Sequence, residues 1–445
     1  MAVVAKRLPA TLRAYRMLWS VSAPVTAVAL RRRLRHGKEI AARLPERRGK
    51  AAHERPPGPL VWIHAASVGE VTSVFSLIER IRTQQIGVMV TTGTVTSAAI
   101  AAQRLPRSVI HQFIPVDSPR YMRRFLAHWQ PDLALLVESD LWPNLIVECA
   151  ARSVPIILVN GRLSERSFRK WRRFPRTIAA LLERLDLCLA RTPADAERFA
   201  ALNAPRVITT GNLKFDVPAP PVPADKFKAL TAAVGRRPVL GAASTHPGEE
   251  ALVIEAHRLM LARAPNLLTV IAPRHPERGP GVAEIAAAVG FRPALRSRGQ
   301  LPASGIDIYV ADTIGELGLL YRLAPSVFIG GSLIPHGGQN PIEAAKLGAA
   351  ILHGPHVGNF TEIYGALDAA RGASLVADAQ TLADLAQAWL RDPAARNAAA
   401  EAAHNTVMAL GGALDRTLQT LDPYLMQLRF GQRIGRGGRF GSGHA

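Results

Sequence analysis

The sequence predicts an α/β chain built from two doubly wound parallel sheets, and three observations carry that prediction. Short apolar runs recur with helical stretches between them, the alternation expected of strand–helix–strand units. A proline-rich segment at 216–226, DVPAPPVPADK, divides those runs into two sets. At 445 residues without internal repeats, the chain is too long for one ordinary core.

The chain opens on a basic and apolar block. Residues 1–55 hold 14 Lys/Arg against 3 Asp/Glu. Within them the run 17–30, MLWSVSAPVTAVAL, is apolar, contains Pro24, and lies between Arg13, Arg16 and the triplet Arg31, Arg32, Arg33. It falls short of the ~20 residues that a spanning helix needs. RRRLRHGKE follows where a signal peptide would carry a small-residue cleavage site. The expectation is an interfacial membrane anchor with the body of the protein on the cytoplasmic side. A helix packed on its own domain is the alternative.

Strand-like runs then fall at 60–64, 86–91, 109–114, 133–137, 156–159 and 187–190, giving a first domain over 56–215. After the linker at 216–226, runs at 239–243, 268–272, 308–310, 327–329 and 351–352 give a second domain over 227–428, which ends in helices. Two such sheets are expected to leave a cleft at the carboxyl ends of their strands, where ligands bind. The tail at 429–445 is rich in glycine and arginine, lacks apolar periodicity, and is expected to be disordered.

Composition narrows the function. A hydrophobic content of 48% and only two cysteines, Cys149 and Cys188, indicate a globular protein of a reducing compartment without a disulfide framework. No CxxC and no His/Cys cluster at metal-ligand spacing is present in the sequence. The formal charge of +21 is concentrated in 1–55, in 162–176 and in the tail. With aromatic residues at 6%, there is no stacking series to pair with nucleic acid, so an anionic membrane surface or a phosphorylated lipid fits the charge better.

Several strand ends carry chemistry. The first strand runs into His64-Ala65-Ala66-Ser67-Val68-Gly69-Glu70, a small-residue turn that places Glu70 near a helix start. Glu70 there is either a general base or a carboxylate favoured by the helix dipole. Glu138-Ser139-Asp140-Leu141-Trp142-Pro143-Asn144 is a second acidic turn, and Gly211-Asn212-Leu213-Lys214 brings an ammonium to the end of the first domain. In the second domain, Pro273-Arg274 leaves a strand with a guanidinium suited to phosphate. Ile314-Gly315-Glu316 is a glycine-bearing helix start.

The stretch 326–347, SVFIGGSLIPHGGQNPIEAAKL, is the segment around which the rest is organised. Gly330-Gly331 ends a strand, Gly337 and Gly338 sit in a loop, and Asn340-Pro341-Ile342-Glu343 opens a helix with Asn340 as its cap. That arrangement predicts free N–H groups aimed at a nucleotide phosphate. Glu343 could equally close a capping box on Asn340.

WIHAASVGE, ESDLWPN, GRLSERS, GNLKFD, APRHPER, TIGELGLLY and GGSLIPHGGQNPIEAAKLG, in that order, resemble the bacterial lipid A Kdo transferases (3-deoxy-D-manno-octulosonic acid transferases). The resemblance implies a GT-B glycosyltransferase of two Rossmann-like domains facing a central cleft, with an N-terminal membrane-associating helix. It implies a place on the cytoplasmic face of the cell inner membrane, CMP-Kdo as donor and the lipid A precursor as acceptor, with no cofactor, no metal and no nucleic-acid partner. By the same resemblance Glu70 is the base, and Glu138 and Lys214 stabilise the transition state. Pro273, Arg274, Ile314, Gly315, Glu316, Asn340, Pro341, Ile342 and Glu343 hold CMP, with Glu343 on the ribose hydroxyls. Asp140 stands where glutamate is expected, and the tail from Arg429 has no counterpart in the family pattern. Two other readings compete: a GT-B enzyme acting on a UDP-sugar, as transferase or epimerase, and a nucleic-acid-binding protein suggested by the charge.

Overall fold

The computed structural model describes residues 7–431 apart from 22, 140 and 217. The chain divides into two compact units, one formed by residues up to 216 together with those from 411 onward, the other by the residues between.

The first unit is a seven-stranded parallel sheet of β1 (Leu60–His64), β2 (Gly87–Thr92), β3 (Ile110–Phe113), β4 (Leu133–Val137), β5 (Ile156–Gly161), β6 (Leu187–Ala190) and β7 (Val207–Thr209), in the order β3-β2-β1-β4-β5-β6-β7. Every residue of β1 and β4 is buried, as continuous apolar runs between two helical layers must be. Side chains alternate between the layers. Val61 and Ile63 join one core with Leu77, Val90 and Leu135, whereas Leu60 and Trp62 join the other with Phe125, Trp129 and Leu136.

The apolar N-terminal run forms not one helix but two, α1 (Ala10–Val21) and α2 (Ala23–Arg35). Pro24 lies in the first turn of α2, where its missing N–H costs no helical bond. α1 is part of the first unit. Leu12 is 1% exposed, worth roughly 2 kcal/mol of burial, Tyr15 donates to Asp117 at 2.9 Å, and Arg16 pairs with Glu148 at 2.7 Å. Its other face, with that of α2, leaves Met17, Leu18, Val21, Val25 and Val28 exposed. Among the described residues no helix is long and apolar enough to cross a membrane.

The second unit is a parallel sheet of β8 (Val239–Thr245), β9 (Leu268–Pro273), β10 (Pro293–Leu295), β11 (Ile308–Val310), β12 (Ser326–Ile329), β13 (Ala350–His353) and β14 (Ala373–Leu375), in the order β10-β11-β9-β8-β12-β13-β14. Of the fourteen strands, β7, β10 and β14 are the ones the sequence pattern did not mark. Each lies at a sheet edge and has three residues, too few to show an apolar period.

Two boundaries differ from expectation. A helix over Ala224–Val234 begins inside the proline-rich linker. The last helix, Ala413–Arg429, expected in the second domain, belongs to the first unit, where Leu421, Leu425 and Leu428 enter the core containing Val61 and Val137. Asp216 fixes its start, accepting from the N–H groups of Gly412 at 2.7 Å and Leu414 at 2.6 Å. Apolar periodicity told that this helix has a buried face, not which core the face enters. Asp140 and the tail at 432–445 lie outside the described residues.

Candidate active site

In each sheet, strand order reverses next to the first strand, between β1 and β4 in one unit and between β8 and β12 in the other. Loops leaving the carboxyl ends of strands splay apart at such a reversal and make room for a ligand. Glu70 and Glu138 follow β1 and β4, and residues 340–343 follow β12, whereas Pro273-Arg274 and residues 314–316 follow the neighbouring β9 and β11.

In the first unit, Ser67 caps the short helix Val68–Ser73. Glu70 occupies the reciprocal position of a capping box. Its Oε1 accepts from the Ser67 hydroxyl at 2.8 Å and its Oε2 from the Ala66 N–H at 2.8 Å. The local role and the chemical one are thus compatible, because the two bonds fix the direction of the carboxylate. Next door, Glu138 follows the last residue of β4 with φ +61, a left-handed conformation that costs a non-glycine residue about 1–3 kcal/mol and concentrates at functional sites. Its Oε1 lies 2.6 Å from Lys214 Nζ, an ion pair without hydrogen-bond alignment. A Cβ on Gly69 would stand 3.7 Å from the same Nζ, so the ammonium lies against the turn that carries Glu70. Asn160, itself at φ +55, accepts from the Leu213 N–H at 3.0 Å and holds the Lys214 segment in place. Glu70, Glu138 and Lys214, from three separate stretches, are therefore brought together.

The glycine loop of the second unit corrects one expectation. Of the N–H groups predicted to be free for a phosphate, those of Gly330, Gly331, Gly338 and Gln339 are occupied from within. Buried Glu249 accepts from Gly331 at 2.7 Å and His246 at 2.9 Å through Oε2, and from Ser332 and Leu333, both at 3.0 Å, through Oε1. The Gly330 N–H donates to Ala243, while those of Gly338 and Gln339 return to Gly331 and Gly330. Neither Gly330 nor Gly337 can be replaced freely. A Cβ on Gly330 would lie 2.5 Å from the Ser244 carbonyl oxygen, and Gly337 adopts φ +106. The glycines thus serve close backbone approach, and a carboxylate of the chain fills the nest of donors.

Past that loop the cap lies one residue later than expected: Pro341 holds the N-cap position, and Asn340 stands before it with its Oδ1 accepting from the Ile342 N–H at 3.1 Å. The helix proper is the five-residue Ile342–Lys346, preceded by Pro341. Glu343 is half-buried on its first turn. Pro273 ends β9, and Arg274 beyond it is exposed, with no side-chain ion pair among the described residues. Burial and the Glu343 carboxylate push the buried Tyr321 phenol up, while Arg274 pulls it the other way. Ile314 is 79% exposed and Gly315 adopts φ +82. Glu316, by contrast, is engaged inside its own neighbourhood with Arg296 at 2.9 Å, Lys226 at 2.7 Å and Thr313 at 2.7 Å. The Arg296 hydrogen bond is the main reason its carboxyl is held down at about 2.

Sequence reasoning missed Glu249 and His246. The ring of His246 stacks at 3.9 Å from that of His336, and its Nε2 meets Gln339 Nε2 at 2.9 Å. Burial first, then His336, His275, Arg274 and Arg278, lower His246 to about 4. The available signal was the spacing in His246-Pro247-Gly248-Glu249, a glutamate three residues after a turn residue.

The family model described as 3-Deoxy-D-manno-octulosonic-acid transferase (kdotransferase) matches residues 42–217. A 3-deoxy-D-manno-octulosonic acid transferase of Bordetella pertussis is 38% identical over 412 residues, covering 89% of this chain and 95% of its own. The enzyme of that name from Haemophilus influenzae is 34% identical over 390 residues, covering 86% and 91%. Among solved structures, a glycosyltransferase from Rickettsia africae shares the fold with a TM-score of 0.52 at 11% identity, over 84% of this chain and 99% of that one. Two parallel doubly wound units of this kind define the GT-B class. With identities above 30% over nearly the whole of both chains, this protein belongs to the family of 3-deoxy-D-manno-octulosonic acid transferases, which are glycosyltransferases.

Proposed function

We propose that this chain is an inverting transferase that moves Kdo from CMP-Kdo to a hydroxyl of the lipid A precursor in lipopolysaccharide biosynthesis, with Glu70 as general base. The observation that carries the proposal is the convergence of Glu70, Glu138 and Lys214 at the strand-order reversal of the first sheet. Inversion needs a group that takes the proton of the acceptor hydroxyl as the new bond forms on the face opposite the leaving CMP. Glu70 is oriented for that by its Ser67 and Ala66 bonds. Lys214, paired with Glu138, supplies positive charge beside it and stabilises charge developing in the transition state.

The second unit is proposed to hold the donor. Exposed Arg274 faces the single phosphate of CMP, and Glu343 accepts from the ribose hydroxyls. Pro273, Ile314, Gly315, Asn340, Pro341 and Ile342 shape the nucleotide site, and Glu316 positions its loop through Arg296 and Lys226. Because the glycine-loop donors are satisfied by Glu249, the phosphate is bound by side-chain cations rather than by that loop. The apolar outer face of α1 and α2, flanked by exposed Arg13, Arg31, Arg32 and Arg35, supports attachment to an anionic surface, read as the cytoplasmic face of the inner membrane.

Glu70→Gln tests the central assignment. It should abolish transfer from CMP-Kdo to the lipid A precursor, read by product mass, while leaving the thermal shift given by CMP intact. Transfer at the wild-type rate removes Glu70 as base, and stabilisation by UDP in preference to CMP removes the donor assignment.

A further inference from the structure

The first unit contains a cavity of about 890 Å³ that the residues assigned so far do not account for. Leu18 and Trp19 of α1, Val25 and Leu30 of α2, and Leu141 and Trp142 after β4 form its walls. Half-buried Ala66 and Gly93 line another side of it. A polar corner is closed by its own pairs, Arg33 with Glu39 at 2.8 Å and Arg47 with Glu39 at 2.9 Å. Arg47 also donates to the Gly93 carbonyl at 2.7 Å and so fixes that side of the wall.

Two features say what would fill this space. The walls are apolar and the mouth is exposed, with Leu18 at 64% and Val25 at 70%, so the cavity offers hydrocarbon contact to something arriving from outside. The cavity also adjoins the candidate base, since Ala66 lines it and the Ala66 N–H holds Glu70 Oε2. A nucleotide sugar has no apolar body to match such walls. A flat membrane contact would explain the exposed residues but not a chamber that reaches Ala66.

We infer that this cavity receives one acyl chain of the acceptor lipid and thereby sets the sugar head group beside Glu70. The inference rests on the proposed transfer to a lipid and adds the subsite that selects an acylated acceptor. Ala29, on α2, lines the cavity and is exposed, so Ala29→Trp narrows the chamber without disturbing the core.

Transfer is measured in detergent micelles with two acceptors, the tetra-acylated disaccharide bisphosphate and its fully deacylated form. The wild type should show a KM for the acylated acceptor about tenfold or more below that for the deacylated one, the equivalent of roughly two buried methylenes. Ala29→Trp should raise the acylated KM about tenfold and leave the KM values for CMP-Kdo and the deacylated acceptor unchanged. If circular dichroism shows that this variant does not fold, Val25→Gln is read the same way. Equal use of both acceptors by the wild type overturns the inference while leaving the transferase assignment standing. So does a variant that only loses co-sedimentation with anionic phospholipid vesicles, since that marks a bulk membrane contact. Transfer to neither acceptor overturns the proposed function itself.

Discussion

Replacing Glu249 with glutamine is the perturbation whose size can be worked most directly from this structure. The carboxylate is fully buried and accepts four backbone N–H groups, two on each oxygen. Glutamine keeps one oxygen and turns an NH2 group toward the other two donors. Two bonds to a charged group are lost, at roughly 1.5 kcal/mol each, and two buried donors face a donor, so the cost is about 3 kcal/mol and up to about 5. That energy is concentrated in the loop after β12, because three of the four donors belong to Gly331, Ser332 and Leu333. Hydrogen exchange followed by mass spectrometry is the suitable assay, since a chain of two units need not unfold in one step. Peptides spanning 326–347 should exchange about 100-fold faster than in the wild type, the factor that 3 kcal/mol corresponds to, with those spanning 60–70 unchanged. The thermal shift produced by CMP should shrink as well. Protection of 326–347 within threefold of the wild type, with CMP binding intact, would refute the claim that this carboxylate holds the loop.

Lys214→Met should cost about 1–3 kcal/mol, below the full value for a buried pair because Lys214 is 34% exposed, and should lower transfer sharply. Adding Glu138→Gln should restore part of the lost stability but not the activity, and thermal unfolding of the single and double variants checks this. Gly330→Ala pushes a methyl group to 2.5 Å from the Ser244 carbonyl oxygen and should cost about 2 kcal/mol or more in urea unfolding; an unchanged midpoint would mean the strand ends separate easily. Stability should also depend on pH in two steps. His111, His246 and His257 are each lowered to about 4, mainly by burial, so the unfolded chain binds more protons below pH 6.5. Their contribution is complete above 6.5 and lost as pH falls toward 4. Glu316, held at about 2, adds a contribution that is complete above 4.5 and lost toward 2. Urea midpoints between pH 7 and 4 measure the first step, and His257→Gln should flatten it; equal midpoints across that range would contradict the burial argument.

Much of the fold was legible because interior parallel strands must be apolar along their whole length. β1, β4 and β9 are runs that no other element explains as well, and the edge strands β7, β10 and β14 escaped because three residues are too few to show a period. The site was legible at the level of which segments matter, through turns that combine small residues with a charge at strand ends. Its wiring was not. Glu70 as a cap, Glu138 in a left-handed conformation against Lys214, and Glu249 in the place foreseen for a phosphate all depend on neighbours far away in sequence.

Local patterning by itself determined that this chain has two parallel-sheet units, where their main strands lie, and which motifs place it among the Kdo transferases. Tertiary structure decided that α1 is welded to the first unit by Leu12, Tyr15 and Arg16, that the helix from Ala413 returns to that unit under the Asp216 cap, and that the glycine-loop donors are spent on Glu249. The reason is physical: periodicity and turn chemistry act over a few residues, whereas the partner of a buried charge, or the core that a helix face enters, is chosen by whichever distant group leaves the fewest polar atoms unsatisfied.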